Sequence, residues 1–232
     1  FFPALSRIQK ETEKISNIYL ISIEILFVLG ATLSIFYYSF AEEIIMILLG
    51  GKWLPAIDML KILSFGVLFR VSYKFCDLIS KSVGQVFQMA WRQGLYALTV
   101  LISVYIGSQF SLSLVSGGIV ISVIINYLLM SQLVVSILKI GLRKYLKIHM
   151  AGFFLGGYLF LVSTGFKILL IDFPDNLYLK LFMKATFFLV ALSIFLFIYP
   201  RSFLSDELLK FFADLKIKNP ILSKIVQKKF HN

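Results

Sequence analysis

Long apolar stretches alternate along the chain with short polar links, and none of them alternates residue by residue. A helix that crosses a bilayer needs about 20 mostly apolar residues. Six runs meet that length: Asn17–Phe40, Ile57–Val83, Met89–Ser108, Ser113–Leu138, Ile148–Ile171 and Leu177–Tyr199. Strands of a transmembrane barrel would read instead as alternating segments of about ten residues. The pattern therefore predicts an all-α integral membrane protein with six transmembrane helices. The links are short except around Gly50-Gly51-Lys52-Trp53-Leu54-Pro55. Beyond the sixth run the pattern changes. Ser205 is placed to cap a helix that runs to about Lys216, with Leu208, Leu209, Phe212 and Leu215 on one face. Pro220 breaks it, and Lys224, Lys228 and Lys229 follow. Residues 201–232 thus form a basic amphipathic tail, suited to the inner leaflet or to solution.

Composition sharpens this reading. Hydrophobic residues make up 59% of the 232 and charged residues 15%, against roughly 45–50% and 25% in soluble domains. Mean hydropathy is +0.89. A soluble fold and a disordered chain are both excluded, the second because disorder needs low hydrophobicity. The net charge of +11 would suggest nucleic acid on a soluble protein. Here the basic residues lie mainly between the apolar runs, and they set topology. On one side are Arg7, Lys10 and Lys14, then Arg92, then Lys139, Arg143, Lys144 and Lys147, then Arg201 and the lysines from Lys210 to Lys229. The other side has Lys52 and Lys180. By the positive-inside rule both ends are expected in the cytoplasm. Lys184, one turn inside the last run, is expected to snorkel to the outer surface beside Lys180. The single cysteine, Cys76, excludes an internal disulfide and a cysteine metal cluster. The chain opens on Phe1 rather than Met and reads as a fragment or processed product, with no signal peptide at its start.

Charges inside apolar runs mark cavities or partners, because each costs at least about 2.5–3.5 kcal/mol in lipid. The second run holds Arg70, Lys74, Asp77 and Lys81, spaced four, three and four residues apart. On a helix they share a wedge of about 60°, which Gly66 and Leu63 extend toward the helix middle. The stripe is expected to face a bundle interior or a water-filled space. Asp77 can pair with Lys74 or Lys81, which leaves a positive surplus suited to an anion such as phosphate or pyrophosphate. Two plainer readings stand beside it. Lys81 and Asp77 can sit at the cytoplasmic interface, and Arg70 and Lys74 can be neutralised by acids elsewhere in a longer protein. Glu24, two turns into the first run, suits an ion pair with a neighbouring helix or a protonatable coupling site. Arg92 beside Trp91 reads as an interfacial anchor. Asn126, Ser122 and Ser131 suit interhelical hydrogen bonds, and Gly152-x-x-x-Gly156 suits close helix packing.

Enzyme signatures are missing. The chain has no Walker loop, no HExxH and no GxSxG. His149 and His231 stand far apart, each without a ligand or catalytic partner in the sequence, and Asp172 and Asp175 read as loop residues around Phe173-Pro174. No catalytic residue, metal or cofactor is expected.

Several segments resemble a known family. Phe2-Pro3-Ala4-Leu5-Ser6-Arg7 resembles the FPxLSR segment of polysaccharide repeat-unit flippases. Ala41-Glu42-Glu43 through Leu49-Gly50-Gly51-Lys52-Trp53-Leu54-Pro55-Ala56 resembles the hairpin that follows it, and Leu60-Lys61-Ile62-Leu63 continues the likeness. Gly84-Gln85 and Gly117-Gly118 fit glycine positions farther on. The resemblance is to the lipopolysaccharide and exopolysaccharide branch of the multidrug/oligosaccharidyl-lipid/polysaccharide exporters, and it covers residues 1–145. Residues 146–200 add two further spans. One departure is local: Glu43 stands where relatives commonly carry Pro.

The resemblance implies most of one lobe of a two-lobe exporter, whose other lobe is an N-terminal part of the same protein. Such relatives flip undecaprenyl-pyrophosphate-linked glycans across the bacterial inner membrane by alternating access. Arg70, Lys74 and Lys81 would then hold the pyrophosphate, with Asp77 and Glu24 in ion-pair or coupling roles. Membrane lipid and a polysaccharide polymerase are further implied partners, and nucleic acid is not. A multidrug or cation antiporter of the same superfamily should carry acidic cavity residues where this chain shows basic ones. A peptidoglycan-precursor flippase shares the pyrophosphate logic.

Overall fold

The computed structural model describes residues 11–169 and 177–198. Both the FPxLSR segment and the basic tail lie outside these residues, as do Asp172 and Asp175. The described residues form helices α1 (Thr12–Ser39), α2 (Ala41–Leu48), α3 (Ala56–Ser82), α4 (Val86–Ser108), α5 (Leu112–Leu138), α6 (Leu142–Leu169) and α7 (Leu177–Ile198), with a 3₁₀ turn at Gly51–Trp53. No strand occurs among them.

Four of these helices are long and apolar enough to cross a membrane: α1, α5, and the stretches Leu142–Phe166 of α6 and Tyr178–Phe195 of α7. The protein is an all-α membrane protein. The sequence suggested six spans. Helices α3 and α4 coincide with the other two runs but are less apolar, α3 through its charged stripe and α4 through Gln88, Arg92 and Gln93. Even so, the 27 residues of α3 extend about 40 Å at 1.5 Å per residue, and α3 lies between α1 and α5.

Backbone chemistry accounts for the boundaries. After α3, Gly84 adopts φ +78°. The Gln85 N–H donates to the Ser80 carbonyl at 2.9 Å and the Gly84 N–H to that of Lys81 at 3.1 Å. This is the left-handed helix stop that glycine allows without strain. The Ser111 hydroxyl caps α5 by accepting from the Leu114 N–H at 3.1 Å. Helix α5 ends on Lys139 at φ +52°, with no glycine to relieve it. Between α1 and α2 only Phe40 interrupts the helix, and its N–H still donates to Phe36. The first apolar run thus ends where the sequence placed its end, and the link that follows it holds a short helix.

Helix α1 is the centre of the bundle. Ile15, Tyr19, Ile23, Phe27, Gly30 and Ser34 fall three or four apart and are all buried, as one face of a 3.6-residue period requires. Helices α3 and α6 pack on α1, α5 packs on α3, α4 leans on α5, and α7 lies against α6. The main core joins α1, α3, α5 and α6. A second, smaller core joins Ile35 and Phe40 to Leu155, Leu159, Phe188 and Ala191. Phe27 is the hub, with Phe69, Tyr127, His149 and Phe153 around its ring.

Small residues let the helices approach. A Cβ on Gly152 would sit 2.7 Å from the Phe27 carbonyl oxygen, and one on Gly107 2.8 Å from the Val115 Cα. Between membrane helices, where lipid competes with any apolar contact, such close approach supplies much of the attraction.

Candidate functional site

The stripe on α3 occupies the flank of the bundle away from its core. Arg70 and Lys74 are exposed, while Cys76 and Ile79 on the opposite side of the helix are buried, as is Tyr73 beside Lys74. Asp77 pairs with Lys81 across 3.0 Å, with side-chain exposures of 14% and 44%. Among the described residues, neither Arg70 nor Lys74 forms an ion pair. The Lys74 ammonium lies 5.0 Å from the Tyr73 ring centroid, and Tyr73 in turn meets Tyr96 of α4 at 6.0 Å. An ammonium over an aromatic face is held without being neutralised. The stripe is shorter than its periodicity suggests. Gly66 belongs to the same wedge, but it is buried, and a Cβ there would touch Val120 of α5 at 3.4 Å. The polar wedge therefore begins at Arg70 and runs toward the α3–α4 turn.

Glu24 is fully buried on the core side of α1 and is engaged by a partner. Arg92 is held locally, donating to the Gln88 carbonyl at 2.8 Å and lying 4.6 Å from the Trp91 ring.

Of Ser122, Asn126 and Ser131 on α5, two reach neighbouring helices. Ser122 meets Ser103 of α4 at 3.2 Å. Ser131 accepts from the Tyr145 hydroxyl of α6 at 2.8 Å. Asn126 does not follow them: its amide is buried, with no hydrogen bond to Oδ1 or Nδ2 among the described residues.

Two arrangements escaped the sequence. His149, without a partner in the linear pattern, is bound at both nitrogens. Its Nδ1 lies 2.6 Å from the Tyr145 carbonyl, which only accepts, so Nδ1 carries the proton. Nε2 is left to accept from the Tyr127 hydroxyl. This ties α5 to α6 directly beneath the Phe27 ring, whose centroid is 4.3 Å from that of His149. The i−4 carbonyl was visible in the sequence; Tyr127 was not.

Lys184 is the second case and a correction. It does not snorkel beside Lys180 but forms an ion pair with Glu43 of α2. The two side chains are 16% and 4% exposed, and the second Glu43 oxygen, Oε2, is buried without a partner among the described residues. Pairing with a buried carboxylate satisfies the ammonium at depth, so it has no need to reach the interface. Glu43 is also the position at which the chain departs from the resembled hairpin.

The pair borders a cavity of about 200 Å³ between α1, α2, α3, α6 and α7. Tyr38, Phe166, Phe187 and Phe188 supply aromatic walls, and Ser39, Glu42, Lys61 and Lys184 supply polar groups. Among the described residues no three His, Cys, Asp or Glu side chains converge as metal ligands.

Residues 1–58 match a family described as "Polysaccharide biosynthesis protein". No curated protein and no solved structure matches the chain significantly. The matched quarter covers α1, α2 and the turn into α3, and so includes Glu24 and Glu43 but not the cationic stripe. Over that quarter the chain is similar to a polysaccharide biosynthesis family, and its four long apolar helices suit a membrane.

Proposed function

We propose that the chain is the C-terminal part of a transporter that flips undecaprenyl-pyrophosphate-linked oligosaccharide units across the bacterial inner membrane. The cargo is destined for O-antigen, capsule or exopolysaccharide. The observation that carries this reading is the pair of cations on α3 that no ion pair among the described residues compensates. Asp77 is occupied by Lys81, so Arg70 and Lys74 present two fixed positive charges on one exposed flank. A guanidinium and an ammonium one helical turn apart match a diphosphate in charge and span, and guanidinium recognises phosphate oxygens bidentately. Lys81 and Asp77 close the stripe at the cytoplasmic end, where the lipid-linked cargo would load.

In this reading α3 and α4 cross the bilayer with the other four helices, and the flank of α3 faces an aqueous vestibule shared with an N-terminal lobe of the same protein. Both ends of the chain are cytoplasmic, a polysaccharide polymerase takes over the exported cargo, and no bond is made or broken. Rocking of one lobe against the other would expose the diphosphate site to each leaflet in turn. The sign of the stripe argues against a multidrug or cation antiporter, whose cavity would need carboxylates.

The test is Arg70→Gln together with Lys74→Gln in the full-length protein, expressed in a strain lacking it. Membrane expression should be normal and surface polysaccharide absent. Full complementation would remove the stripe as the diphosphate site.

A further inference from the structure

We propose that the cavity beside the Glu43–Lys184 pair is a subsite for one neutral sugar ring. The proposal rests on the flippase reading for its biological sense, but its chemistry is that of the cavity itself.

Charge comes first. Two ammonium groups and one carboxylate line the space, and a second carboxylate stands behind it. Lys184 is matched by Glu43, and Lys61 has Asp58 at 3.7 Å and Glu42 on the same wall. Two ammonium groups thus stand against three carboxylates, of which Asp58 is 77% exposed. The wall lacks the positive surplus that Arg70 and Lys74 offer a phosphate, and among the described residues no carboxylates converge as a metal ion needs. The favoured occupant is uncharged and rich in groups that both donate and accept.

Hydrogen bonding comes second. The Ser39 Oγ is buried with no partner among the described residues, and such groups are rare unless a ligand or water completes them. Ser163 gives its proton to the Phe160 carbonyl at 3.1 Å, so its lone pairs stay free to accept. Lys184 has further N–H donors beyond the one used by Glu43. Hydroxyls of a pyranose satisfy all three, whereas a hydrocarbon would strand them.

Shape comes third. Phe166 and Phe187 stack in parallel, 3.9 Å apart and 9° from coplanar. With Phe188 and Tyr38 they give the cavity flat apolar walls. The C–H face of a sugar packs on such rings while its hydroxyls point along the rim. At about 200 Å³ the space has room for a single ring. The cavity also lies at the end of the bundle opposite the basic link at 139–147, since it gathers the end of α1, the start of α3 and the end of α6. In the proposed topology this is the outer end, where a flipped glycan emerges.

The experiment uses the chain in lipid nanodiscs and saturation-transfer NMR with methyl glycosides of glucose, galactose, mannose and N-acetylglucosamine, with sn-glycerol 3-phosphate as the anionic comparison. At least one glycoside should receive saturation and outcompete the phosphate. Its signal should vanish in Ser163→Trp, which fills the space. It should weaken several-fold in Ser39→Ala, which removes one hydroxyl and leaves the packing intact. The proposal is overturned if no glycoside binds, if glycerol phosphate binds more tightly, or if Ser39→Ala binds as wild type does. Failure here is separable from failure of the flippase reading. Loss of export in the Arg70/Lys74 variant with no glycoside binding removes the subsite alone. Glycoside binding with full export in that variant removes the diphosphate site and leaves the subsite standing.

Discussion

Replacing Gly152 by Ala tests whether the contact between α1 and α6 is set by the absence of a side chain. The new Cβ would meet the Phe27 carbonyl oxygen at 2.7 Å, the carbonyl carbon at 2.8 Å and the Phe27 Cβ at 3.0 Å. Ordinary contact begins near 3.4 Å, so the two backbones must part by about 0.7 Å, the difference between 3.4 and 2.7 Å. None of the three atoms belongs to a flexible side-chain end, and the relief has to come from moving a helix. A gap of 0.5–1 Å forfeits about a quarter to a half of each dispersion well it opens, and overpacking of this kind costs about 1–3 kcal/mol. Alanine returns up to about 1 kcal/mol of helix propensity, so the net loss expected reaches about 2 kcal/mol. Gly156, one turn along the same face, is the internal control. A Cβ there meets only the Ala31 Cβ at 3.5 Å, and Gly156→Ala should be neutral or stabilising. Unfolding of the purified chain in mixed micelles, followed by circular dichroism, reads both. The reasoning is refuted if the two variants agree within about 0.5 kcal/mol, the usual scatter of such comparisons.

Two further outcomes follow from single contacts. Lys184→Met leaves Glu43 buried and uncompensated and should cost about 3–5 kcal/mol, whereas Lys184→Met with Glu43→Leu should recover most of the loss. The same unfolding measurement, run as a double-mutant cycle, checks it, and a single variant within 1 kcal/mol of wild type would contradict the pairing (about the size of an exposed ion pair). Lys139→Gly should raise stability by about 1 kcal/mol, because Lys139 holds a left-handed φ of +52° that only glycine adopts without cost; an unchanged midpoint would count against strain there.

Period and hydropathy made the helices legible because both are local. The six apolar runs coincide with α1 and α3 to α7 among the described residues, to within several residues at most ends. Composition shows that α3 and α4 carry more polar residues but not that they share the bundle, which depends on α1 and α5 packing on α3 and α5 on α4. The short helix α2 was hidden because its eight residues fall between the first two runs and are too few to read as a span. At the stripe, helical spacing put Arg70, Lys74, Asp77 and Lys81 on one side and gave both possible partners for Asp77, of which the folded chain uses Lys81. The same arithmetic wrongly extended the stripe to Gly66, since an angle on a wheel does not reveal that Val120 of another helix occupies that direction.

The features that sequence reasoning missed share one cause. His149 with Tyr127 spans 22 positions, and Glu43 with Lys184 spans 141. Each polar residue, taken alone, invites the least costly local solution: an interfacial histidine, a snorkelling lysine. In lipid the local solution competes with an interhelical one, and the interhelical one wins when both partners are already buried by the packing of their helices. Glu43 is buried because α2 folds back against α3 after the bend at Phe40, and Lys184 because α7 lies on α6 over the same end of the bundle. The ion pair is thus a product of the fold before it can be a support for it. A swap of the two residues, Glu43→Lys with Lys184→Glu, should therefore preserve the bundle and its stability to within about 1 kcal/mol. Stability that fell as far as in Lys184→Met alone would show that the surrounding helices select the sign of each charge and not merely the pairing.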